Sequence, residues 1–118
     1  MRLSEYEAGV LVSCGQALFE GPWILELFGS RIDDQLRGGD IDLLFTFVNE
    51  GVFQAALQGK AAYLARVKGL IGEQKLDVVM TTRERAMADA FIQSLGDRRI
   101  QLGIWPADGA IVPQGQWS

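Results

Sequence analysis

Near the start of the chain, Val10, Leu11, Cys14, Ala17 and Leu18 recur at steps of three and four, the period that lays apolar side chains along one face of a helix. "LSEYE" just ahead carries a start signal. Ser4 can accept from the amide of Glu7 while the Glu7 carboxylate reaches back to Ser4, which makes a capping box. Gly21-Pro22 ends this helix, and the period then changes. "WILELF", residues 23–28, and "DIDLLFTFV", residues 40–48, read as strands. The second has Ile41, Leu43, Phe45 and Phe47 on one face and Asp40 and Asp42 on the other. From residue 52 to 74 the positions Val52, Phe53, Ala56, Leu57, Tyr63, Leu64, Val67, Leu70 and Ile71 fall on one broad arc, which predicts a single long helix lying on a sheet. "KLDVVM", residues 75–80, predicts a third strand with Leu76, Val78 and Met80 inward and Asp77 on the opposite face with Val79. Thr81 and Glu84 form a second capping box at the head of a helix through Ala86, Ala90, Phe91 and Leu95, closed by Gly96. "RIQLGIW" offers a fourth, edge strand. With a short helical turn expected between the first two strands, this order predicts an α+β domain: a mixed β-sheet with helices packed on one face.

Length and composition narrow the function. At 118 residues, 48% hydrophobic and 22% charged, the chain suits one globular domain, residues 1–105, followed by a tail, 106–118, that holds two of the three prolines. No apolar run nears the roughly 20 residues that cross a bilayer, and the N-terminus lacks the order of a signal peptide, so a cytoplasmic protein with no membrane partner is expected. Fifteen acidic against 11 basic residues, a net charge of −4, argue against nucleic acid as the main ligand. The single cysteine, Cys14, reads as core packing and excludes an intrachain disulfide or thiolate zinc cluster. The absence of histidine excludes Ser-His and Cys-His pairs and HExxH metal sites. Chemistry must run on carboxylates, lysine, arginine or hydroxyls.

Asp40 and Asp42 supply it. On a strand they point the same way with α-carbons roughly 6.5 Å apart, where two carboxylates repel unless one is protonated or a cation neutralises both. Hard oxygen donors suit Mg²⁺ or Mn²⁺, and Asp77, on a strand paired beside the second, becomes a third ligand. Gly29 lets the backbone approach a ligand, and Ser30 opens a turn whose amides and hydroxyl can receive phosphate oxygens.

"LFGSRIDDQLRGGDIDLLF" followed by "KLDVVM" resembles the minimal nucleotidyltransferases of the DNA polymerase beta superfamily: Gly-Ser, a spacer, Asp-x-Asp on a strand and a later Asp on a neighbouring strand. The spacer is short, and Gly39 stands where relatives commonly have Ser or Thr. The resemblance implies a nucleotidyltransferase fold, two Mg²⁺ ions, and transfer of AMP from ATP to a hydroxyl. It implies that Gly29, Ser30 and Arg31 hold the nucleotide and that Asp40, Asp42 and Asp77 hold the metals and carry catalysis. It also implies a helical HEPN-type partner, with the transferase acting as antitoxin by modifying a toxin. A second reading is an inactive module of the same fold that neutralises or scaffolds a partner by contact alone.

Duller roles stand beside these. An Asp-x-Asp by itself is usually a strand end meeting solvent, and Arg31 can pair with Asp33 or Asp34 as readily as with phosphate. Lys60 can snorkel or touch substrate, while Arg83 and Arg85 form either a solvated face or a ligand contact. Trp105 and Trp117 anchor either a partner or their own domain, and the apolar edge from Ile100 to Trp105 suits a homodimer.

Overall fold

The computed structural model describes residues 3–29 and 40–106; Ser30, Arg31, the expected helical turn and residues 107–118 lie outside the described residues. Helix α1 spans Glu5–Leu18 and starts at the capping box: the Glu7 amide donates to Ser4 Oγ, and the Ser4 amide to Glu7 Oε1, each at 3.0 Å. Strands β1 (Trp23–Phe28) and β2 (Ile41–Phe47) pair antiparallel, with Phe28 opposite Asp42. Helices α2 (Glu50–Gln58) and α3 (Lys60–Ile71) lead to β3 (Leu76–Thr82), which runs parallel to β2 with Asp77 level with Asp42. Helices α4 (Arg83–Ala88) and α5 (Ala90–Leu95) precede β4 (Arg99–Trp105), which pairs antiparallel with β1. The result is an α+β fold on a four-stranded mixed sheet of order β3-β2-β1-β4. Among the described residues, no helix is long and apolar enough to cross a membrane.

Two expected helices are each two helices. The arc over residues 52–74 breaks at Gly59, whose φ of −96° and ψ of 1° leave the helical region, and Asn49 caps the first half by accepting from Val52 N at 2.9 Å. The helix expected from Thr81 to Leu95 breaks at Asp89, whose carboxylate accepts from Ile92 N at 3.1 Å and starts a new helix there. Its N-terminal cap is Thr82 and not Thr81: the parallel ladder holds Thr81 opposite Thr46 and Thr82 opposite Phe47, so the strand runs two residues further than "KLDVVM". Thr82 Oγ1 then accepts from Arg85 N at 3.0 Å.

One sheet face packs on α1, α2 and α3. Trp23, Leu25, Leu27, Ile41, Leu43, Phe45 and Phe47 are fully buried there beside Leu11, Tyr63 and Val67. Phe19 stacks on Tyr63 with ring centroids 5.2 Å apart, and Phe45 meets Trp23, Phe19 and Tyr63 edge-on. Cys14 is buried in the same core. Ala17 of the predicted face is exposed; Gly15 is buried instead, where a Cβ would approach the Trp23 ring to 3.0 Å. Helices are not confined to this face. Ala86, Ile92 and Leu95 of α4 and α5 pack against Phe28, Leu44 and Val79, the apolar side chains that β1, β2 and β3 each present on the other face.

Candidate metal centre

Three carboxylates converge at one end of this second face. Asp42 lies within β2, Asp40 directly precedes the strand, and Asp77 reaches the same spot from β3 through the parallel register. A carboxylate oxygen from each lies within 4.8 Å of the others. Antiparallel pairing of β2 with β3 would have run the strands in opposite senses; the helical crossover made them parallel and brought the two acidic ends together.

The cluster is electrostatically unfavourable as it stands. Burial raises the Asp42 pKa above its ordinary value of 3.8, and the charges of Asp77 and Asp40 with a hydrogen bond to the Asp77 carboxyl raise it further. Lys75 offsets only part of this. Its ammonium is 3.5 Å from Asp40, but the side chain is 74% exposed, so the pair is screened and holds neither partner firmly.

Gly29 closes the site from the β1 side. Its φ of +80° is a backbone conformation that favours glycine, and an added Cβ would fall on the Asp42 carboxylate. The main chain therefore runs directly against the Asp42 carboxylate, which occupies the space that a side chain at this position would need. Carboxylate oxygens at this spacing beside bare backbone form a donor set suited to hard divalent cations, so the residues present fit Mg²⁺. Ser30 and Arg31, the other expected nucleotide contacts, fall outside the described residues.

A cleft of about 440 Å³ opens from the carboxylates. It is lined by Phe28, Asp42, Asp77 and Val79 on the second face, and it passes over the β3 edge to Leu76, Val78, Lys60 and Leu64, with Phe91 beside it. Phe91 is half exposed and meets Phe28 edge-on at 5.7 Å. Sequence reasoning singled out Lys60 without placing it here and passed over Phe28 and Phe91; the position of Phe28, directly ahead of the glycine, was the available signal.

Neither expected arginine after β3 joins the centre. Arg85 donates to both Glu50 carboxylate oxygens, at 2.7 and 3.0 Å, and lies over the Phe53 ring at 4.9 Å, fastening α4 to α2. Arg83 lines a separate cleft of about 350 Å³ with Glu26, Arg99, Gln93 and Gln101. Burial raises the Glu26 pKa there, and Arg99, 3.5 Å away, counters it in part.

No protein-family model matches the chain, and no curated protein matches it.

Proposed function

We propose that this protein is a Mg²⁺-dependent nucleotidyltransferase with a polymerase beta-like fold, transferring AMP from ATP to a hydroxyl, with a helical HEPN-type protein as acceptor in a toxin–antitoxin pair. The observation that carries the reading is the meeting of Asp40, Asp42 and Asp77 from two parallel strands, with the backbone of Gly29 against Asp42. In this reading Asp40, Asp42 and Asp77 would hold two Mg²⁺ ions, which would supply neutralisation of the carboxylates and stabilisation of the charge that develops in an in-line displacement at phosphorus. The acceptor hydroxyl gives its proton to a carboxylate of the centre or to solvent, and its oxygen forms a bond to the α-phosphorus as the α–β phosphoanhydride bond breaks and pyrophosphate leaves. Gly29 admits phosphate oxygens close to the main chain, with Ser30 and Arg31 the next residues along. Phe28, Leu44 and Ile92 form a buried apolar cluster on the same sheet face as Asp42.

The test is incubation with labelled ATP, Mg²⁺ and the product of the adjacent reading frame, followed by intact-mass measurement. A gain of AMP units on the partner, lost in Asp40→Asn, supports the transferase; an unchanged partner mass contradicts it.

The Lys75–Asp40 contact favours a second reading, a contact-only module in which lysine stands in for the metal. An exposed pair of this kind contributes about 0–1 kcal/mol, too little to exclude a divalent ion. The readings separate in thermal unfolding with Mg²⁺ and ATP. At a hundredfold excess over Kd a bound ligand stabilises by about 2.7 kcal/mol. The transferase gains stability that Asp42→Asn abolishes, and the contact-only module gains none.

A further inference from the structure

The transferase reading leaves the acceptor's chemistry open, and the cleft at Asp77 narrows it. β3 is an edge strand of the sheet, and the cleft crosses its outer side, with Asp77 and Val79 above and Lys60 and Leu64 of α3 below. Gly29, where the phosphates would lie, is at the opposite, β1 side of Asp42, so the β3 side is where an acceptor enters.

Lys60 is the sole cation among the described lining residues. Its side chain is half-buried at the first position of α3 and has no ion pair or hydrogen bond among the described residues. The other lining groups apart from the carboxylates are apolar: Leu64, Leu76, Val78, Val79, Phe28 and Phe91. One ammonium in a cleft whose lining is apolar away from Asp42 and Asp77 fits a single anion on an otherwise uncharged neighbour. It does not fit a phosphate backbone, which needs a row of cations and would meet a chain of net charge −4.

The geometry points to Lys60 as a specificity-determining residue that selects, as acceptor, a polypeptide hydroxyl flanked by an acidic side chain. The inference rests on the transferase reading, because the carboxylates repel an acidic peptide until divalent ions neutralise them. Acidic-peptide binding is therefore metal-dependent.

The test uses a short fluorescent peptide with one tyrosine flanked by glutamates, its glutamine isostere, and a short RNA with a free 3′ hydroxyl, each read by anisotropy in Mn²⁺. Mn²⁺ binding is measured separately by electron paramagnetic resonance. The acidic peptide should bind about fivefold more tightly than its isostere, the size of one modest charge pair. Lys60→Met should abolish that preference without changing Mn²⁺ binding, and Lys60→Arg should restore it. Equal affinity for the two peptides, a preference that survives Lys60→Met, or tighter binding of the RNA overturns the inference while leaving the metal centre intact. A chain that binds no Mn²⁺ overturns the inference and the transferase reading together.

Discussion

The two faces of the sheet are built for different ends. On the first, Trp23, Phe45, Phe47 and Tyr63 interlock with α1, α2 and α3, and the one buried phenol, Tyr63, donates to Leu11 O at 2.8 Å. Every large group there has a partner. On the second, the same strands present Asp42, Asp77 and Glu26, and the charges are paired weakly or repel one another. Period-2 alternation puts both faces on one backbone, so stability and chemistry are encoded one residue apart. Substitutions on the first face should cost stability and those on the second should cost function, and this contrast can be broken.

The largest expected effects form a pair of opposites. Phe45→Ala should lose about 3–5 kcal/mol by leaving a cavity among four rings, read as a fallen denaturant midpoint. Asp42→Asn should reduce AMP transfer by roughly a thousandfold or more while raising the melting temperature of the metal-free protein. The sign follows from the raised pKa of Asp42: the group favours the fold below 3.8 and that contribution is lost as pH rises through its raised value, so at neutral pH the charge opposes folding. A melting temperature that falls in Asp42→Asn would mean the carboxylate is structural.

Gly29→Ala sharpens the comparison by touching both properties. The positive φ costs about 1–2 kcal/mol, and the new methyl group displaces the Asp42 carboxylate, so Mn²⁺ affinity should fall along with stability. Unchanged Mn²⁺ affinity would remove Gly29 from the site. Tyr63→Phe should cost about 1 kcal/mol and leave metal binding untouched.

The smallest effect belongs to the tie between faces. Arg85 holds the Glu50 pKa down at about 2, so this stabilisation is present above the ordinary 4.5 and is lost as pH falls towards 2. Glu50→Gln should flatten acid unfolding slightly in that window; an identical acid profile would show the pair to be idle.

How legible each region was follows from the range of the interactions that set it. The Ser4–Glu7 box, the existence of the four strands and the shared facing of Asp40 and Asp42 depend on neighbours a few residues away and on alternation, and the structure has them; bringing Asp77 level with Asp42 took the parallel pairing of β2 with β3. The breaks at Gly59 and Asp89 were hidden because apolar positions continue across them; the arc is preserved while the backbone turns. The extension of β3 to Thr82 depends on pairing with Thr46 and Phe47, over thirty residues away in the chain, which no local signal carries. Lys60 looked like a residue of a long helix; only the break places it first in α3, at the cleft.

The central claim is that these acidic side chains together bind divalent ions beside a triphosphate. Calorimetric titration of Mn²⁺, with and without a non-hydrolysable ATP analogue, into the protein and Asp77→Asn tests it most directly. Saturable binding that the analogue strengthens and Asp77→Asn abolishes is the predicted result. Heats of dilution alone from the unaltered protein, or binding indifferent to Asp77→Asn, would contradict it.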